Sequence, residues 1–339
     1  MRPCRILSLI AVGLGYFFGV ACGASGRIPD ADRLAWRTLA EVSRPALSAG
    51  VASPRDTPLS WRRWWTSQEV YVDPDGHQPP STATAGVARP ISCQVESERE
   101  RLSPFEHQPD PCEKIFLNGP SVGYVVAREF WIRDRVIVAA GAGKIRFPLP
   151  PNPMAVEMKT EWRTKSLAPA GEYVRGVDDQ GNDRVLVAFH MMIHAQLDWV
   201  WATFIHENFA HLVTDNYATL NDSFGDFHGH PSNPLVQLLH DSHVDILRHY
   251  KLIGTQLGLH EPLLLGNPLI EGRKMIQQKQ ASCISCHRFA ASDQKGHLPS
   301  GIGGVGGVPP IPGYNSLNFN FTLARRSQCI AGPPACYNQ

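Results

Sequence analysis

The sequence predicts an α+β protein, an antiparallel β-containing main domain followed by a short helical segment. Three observations carry this. Residues 155–162, Ala-Val-Glu-Met-Lys-Thr-Glu-Trp, alternate apolar and polar with the period of a half-buried strand. Residues 184–194 and 199–206 are nearly continuous in apolar side chains, as neighbouring strands covered on both faces are. Helical patterns flank these runs, at 30–43 and 235–250, and a cysteine-containing stretch near residue 283 follows a further helical pattern at 266–280.

In chain order, Arg2 and Arg5 lead into the apolar run 6–20 and the small residues Ala21, Cys22, Gly23 and Ala24, which reads as a secretory signal over 1–24. Cys22 is a candidate lipid-anchor site, with cleavage after Ala24 as the alternative. No other segment approaches the roughly 20 apolar residues of a membrane span, so the expected location is the periplasm, free or lipid-anchored. The main domain is placed at 27–262. Its first helix buries Leu34, Leu39 and Val42 with Ala35 and Trp36 alongside, and Pro45 ends it. Trp61, Trp64 and Trp65 form the densest aromatic cluster, and three Trp at such spacing are expected to anchor a core rather than relay electrons.

Residues 73–103 read as a long exposed excursion closed by a Cys93–Cys112 disulfide, and Cys329 with Cys336 is the matching local pair near the C-terminus, although four cysteines allow three pairings. Residues 115–130 supply a strand or a short helix, 136–140 is another apolar run, and 147–153 is a Pro-rich linker. A short strand at 173–177 leads into the turn at 178–183. The pattern over 235–250 is a helix burying Leu238, Leu239, Val244, Ile246 and Leu247, with His240 and His243 three apart. Two such histidines can share a metal, but His beside Asp on a helix surface is the commoner arrangement.

The total of 32 Lys and Arg against 31 Asp and Glu leaves a formal charge of +1, so no overall field recruits nucleic acid. Chemistry concentrates at residues 282–287. Ser-Cys-Ile-Ser-Cys-His contains Cys-X-X-Cys-His, the attachment signature of a c-type haem. Cys283 and Cys286 can each add to a haem vinyl group, and the imidazole of His287 is then the proximal iron ligand. Residues 263–339 are therefore read as a cytochrome c-like segment binding one covalent haem c. A thioredoxin-type pair, half of a zinc site or a plain disulfide are the rival readings. No strand is expected before the pair and no second Cys-X-X-Cys exists.

Beyond that motif, Trp36 with its helix and residues 61–70, 156–162, 199–206, 250–256, 265–271 and 282–287 together resemble exported bacterial proteins of a cytochrome c family. The resemblance covers most of the mature chain and implies one covalent c-type haem with no established substrate. No Met follows His287, so the far iron ligand cannot be a downstream thioether. Candidates are His190, His194, His206 and His297, with Met191 and Met192 beside them; by alternation His190, Met192 and His194 share one strand face. A second protein ligand favours electron transfer to an unidentified redox partner, and this is the expected function. An open iron favours a peroxidase-like enzyme or a small-molecule sensor.

Overall fold

A computed structural model describes residues 31–45, 59–71, 79, 81, 88–91, 112–148, 154–195, 199–213, 231–257, 264–271, 281–297, 299, 312–318 and 320. The expected signal segment, Cys22, Cys93, Cys329, Cys336 and most of the 73–103 excursion lie outside these residues.

Helix α1 (Ala31–Ser43) buries Ala35, Trp36, Leu39 and Ala40. A 3-10 turn (Ser60–Arg63), β1 (Trp65–Thr66) and α2 (Ser67–Tyr71) follow, and the tryptophans here do anchor cores. Trp61 packs 5.3 Å from Phe116, centroid to centroid, and Trp65 is buried on the opposite side of the sheet. Residues 115–130 prove to be strand and then helix: β2 (Cys112–Leu117) and α3 (Gly119–Ala127). Asn118 makes the switch. Its Oδ1 accepts from the backbone of Ser121 and of Val156, and its Nδ2 donates to the Met154 carbonyl, so one side chain caps the helix and ties it to the next strand. Helix α4 (Arg133–Gly141) occupies the apolar run at 136–140.

The strands β3 (Val156–Thr164), β4 (Arg175–Val177), β5 (Asp183–His194) and β6 (Trp199–His206) stand where the sequence places them. Helix α5 (Asn233–Asp241) is shorter than the pattern predicts, and residues 250–257 form a further strand, β7 (Tyr250–Leu257). The helix stops because His243 takes a left-handed φ of 58°. The Val244 N–H then returns to the Leu239 carbonyl at 2.9 Å and the His243 N–H to His240 at 2.9 Å, with Val244 and Leu239 buried together. Glycine normally supplies this ending. Glu129, with φ of 56°, closes α3 in the same way, its Phe130 N–H reaching Val125 at 2.8 Å.

All neighbours in the sheet are antiparallel, in the order β1-β2-β3-β5-β6-β7, with β4 sharing the β5 edge that β6 occupies further along. One face packs Met158, Trp162, Phe189, Met191, Ala202, Phe204 and Leu252 against α1 and α5, including a 4.7 Å stack of Phe189 on Phe204. The other face packs Met192, Trp199 and Trp201 against α3, α4 and residues near 284–290. A second patch on that side joins Val185, Ala188, Ile205 and Ile253 to Leu265, Leu269 and Ile270. Cover on both faces explains the continuous apolar runs in β5 and β6. It also corrects the half-buried expectation for β3, because Glu157 and Glu161 on its polar side are buried as well.

At the start of β5, Asp178 and Arg184 form a buried pair at 2.9 Å, their side chains 2% and 8% exposed. Burial pushes the Asp178 carboxyl up, but hydrogen bonds from Asn182, Arg184 and the Gln180 N–H outweigh it and hold it at about 2. Replacing Asp178 by Ala removes the carboxylate that Arg184, the Asn182 N–H and the Gln180 N–H share, and the expected cost is about 1–3 kcal/mol in urea unfolding. In the wild type the stabilisation is present above the ordinary 3.8 and is lost as pH falls through about 2, so the Asp178→Ala chain loses stability less steeply than wild type across that window. Parallel acid titrations of the two chains would contradict this.

Candidate functional site

The cysteine motif forms one short helix, α6 (Cys283–His287), at the edge of the covered sheet face. Its first turn is held from two sides. Ser282 Oγ accepts the Ser285 N–H at 3.3 Å, and Gln256 Oε1, from β7, accepts the Ile284 N–H at 2.9 Å. The Gln256 amide also donates to Ser282 Oγ at 3.4 Å. Leu265 lies beside Ser282 in a single parallel bridge, its N–H on the Ala281 carbonyl at 3.2 Å. After the helix, β8 (Ala291–Ser292) pairs with β9 (Asn315–Ser316).

Cys283 and Cys286 are unpaired and half-buried on one turn. Cys283 packs at the seam between two apolar clusters, with its Sγ 3.8 Å from the Leu265 carbonyl. The ring of His287 lies 5.8 Å from that of Trp201 on β6, at 54°. Burial, then the charge of Glu271, pushes the Cys283 thiol well above its ordinary range and the Cys286 thiol up to about 11. Cys112 is half of a disulfide whose other half lies outside the described residues.

The far-side candidates separate clearly. His190 is on the same sheet face as α6, where its Nε2 meets Glu271 Oε1 at 2.7 Å and its buried Nδ1 has no hydrogen-bond partner. Met192, one pleat along and opposite Trp201, shares a cluster with Ile284, whereas Met191 faces α1 across the sheet and is remote from the motif. His194 is committed to the core, with Nδ1 on the Pro148 carbonyl at 3.0 Å and its ring 4.6 Å from Trp199. His206 is committed more fully. Its Nε2 meets the Glu172 carbonyl at 2.8 Å, its Nδ1 accepts the Asn208 N–H at 3.2 Å, and the ring stacks on Tyr173 at 3.8 Å. Burial holds it down at about 4, neutral at ordinary pH. His297 sits in the turn after α6, half-exposed, its Nδ1 on Asp293 Oδ2 at 2.9 Å.

His240 pairs with Asp245 on the surface at 3.4 Å and His243 serves the helix ending. Among the described residues, no three or more His, Cys, Asp or Glu side chains gather as a metal site, and no helix is long and apolar enough to cross a membrane.

The spacing suits a covalent haem: Cys283 and Cys286 are unpaired on one turn with His287 adjacent, and His190, whose Nδ1 has no hydrogen-bond partner, lies on the same side of the sheet. Gln256, Glu271 and Trp201 are the supporting residues that motif reading missed. They come from β7, a loop and β6, and strand register together with that loop's crossing of the sheet brings them to the motif. In comparisons with known proteins, no family model, no curated protein and no solved structure matches the chain.

Proposed function

We propose that the protein is an exported mono-haem c-type cytochrome that transfers electrons in the periplasm. The observation that carries this reading is the Cys-X-X-Cys-His run on a single capped turn, with both thiols unpaired and the imidazole set against an indole. Bound there, haem c supplies a reversible one-electron iron couple. Cys283 and Cys286 would tether it and His287 would hold the iron. Trp201 covers the imidazole from the sheet side and keeps water from that flank, while Gln256 and Ser282 fix the direction of the turn. The family resemblance read from the sequence implies the same cofactor, and of its runs only residues 282–287 carry that chemistry.

A second reading has an observation of its own. His194 and His206 are tied into the core through their ring nitrogens, so that of the candidates among the described residues His190, Met192 and His297 are left to reach the iron's far side, or none of them. An iron without a second protein ligand would serve a peroxidase-like enzyme or a small-molecule sensor.

Intact mass and visible spectra of the exported chain, produced with haem-ligation machinery, test both. The expected result is one covalent haem per chain and a sharp reduced spectrum indifferent to carbon monoxide. A carbon monoxide-sensitive, high-spin spectrum would transfer support to the second reading, and a chain without the haem increment overturns both.

A further inference from the structure

The loop of residues 265–271 is pinned across the sheet by polar contacts that the haem-attachment chemistry does not require. Asn267 donates its amide to Thr203 Oγ1 at 3.1 Å and to the Phe204 carbonyl at 2.9 Å. Glu271 then places one carboxylate oxygen on His190 and the other on the Asn267 N–H. Its side chain is 18% exposed and that of His190 14%. The same loop is what Cys283 packs against, through Leu265, Leu269 and Ile270. A carboxylate thus stands in the wall beside the cysteine turn.

A cation faces it. Lys159 on β3 is the register partner of His190 on β5, and its Nζ pairs with Glu113 at 2.9 Å. The other charged groups on this face of β3 are Glu157, which accepts the Asn320 amide at 3.1 Å, buried Glu161, and Arg163, whose guanidinium lies 5.1 Å from the Phe209 ring centroid. Burial alone would raise the Glu271 carboxyl, but His190, Lys159 and the Asn267 N–H outweigh it and lower it, so it is ionised at neutral pH. Both groups lie on the side of the sheet that α6 covers: Lys159 is in register with His190, which holds Glu271, and Glu271 belongs to the loop whose Leu265 carbonyl is 3.8 Å from Cys283 Sγ.

We propose that Glu271 and Lys159 are opposed tuning charges that set the reduction potential of the centre held by Cys283, Cys286 and His287, an inference that rests on the haem reading above. Oxidation adds one positive charge at the iron. A nearby anion stabilises that state and lowers the potential, and a cation raises it. Because Glu271 is largely buried, salt screens its share weakly. His190 acts as a positioning residue, holding the carboxylate in place.

The test is a spectroelectrochemical titration of the exported, haem-loaded chain. Glu271→Gln is expected to shift the midpoint upward, Glu271→Asp to return it toward wild type, and Lys159→Met to shift it downward, all with unchanged visible band positions. Lys159 is partly exposed, so that variant reports even if Glu271→Gln fails to fold. Shifts of the same sign in Glu271→Gln and Lys159→Met, or no shift in either, would overturn the tuning role while leaving the cytochrome reading intact. A wild-type chain without covalent haem would overturn the cytochrome reading and this inference with it.

Discussion

Exported protein carrying Cys283→Ser together with Cys286→Ser is expected to contain no covalent haem, and either single substitution to leave one thioether or none. A hydroxyl does not add to a haem vinyl group, and α6 offers no other sulfur. The expected reading by mass is complete loss of the haem increment in the double variant. A chain that keeps it would place attachment elsewhere. The substitution is sterically mild, since serine replaces a half-buried thiol of similar volume. The described sheet should therefore still assemble, so far-ultraviolet circular dichroism separates a lost tether from a lost fold. His287→Ala belongs to the same series, with both thioethers kept and the spin state of the iron changed.

Trp201→Ala is expected to cost about 3–5 kcal/mol in urea unfolding. The indole is 2% exposed near the start of β6, between Met192 on β5 and Gln256 on β7 in register, and it shares a cluster with Trp199 and Ile284. Removing it opens a cavity under the cysteine turn and exposes one flank of His287. Two readouts follow: a lower denaturant midpoint, and an altered haem spectrum in the loaded protein. A loss below about 1 kcal/mol would mean that the face collapses around the missing ring. Trp201→Phe keeps most of the cover and should lie between the two.

The β core was legible because burial on both faces writes a simple pattern. Alternation at 156–162 and the apolar runs at 184–194 and 199–206 became β3, β5 and β6, and the parity of His190, Met192 and His194 put them together on the face that α6 covers. β7 was not legible. The pattern over 235–250 reads as one helix because the usual sign of an ending, a glycine, is replaced by His243 at φ 58°. Polarity misled at β3, where Glu157 and Glu161 suggested solvent and met protein instead. The motif itself was readable since its five residues are consecutive. Its supports were not, because Gln256, Trp201, His190 and Glu271 are joined to it only by strand register and a loop crossing the sheet.

The order of the strands bears on how such a protein is put together in time. The sheet from β2 to β7 is built from residues that precede the Cys283 turn: β5 and β6 pair across a short connection, β6 and β7 across a longer one, and the last pairing is complete at residue 257. Sequence-near pairings form early. Cys283, by contrast, ends wedged at the seam of two clusters that the sheet must first create. The frame can therefore be built while the two thiols of the turn are still reachable. The docking of α6 against Gln256 and Trp201 then closes over the two thiols.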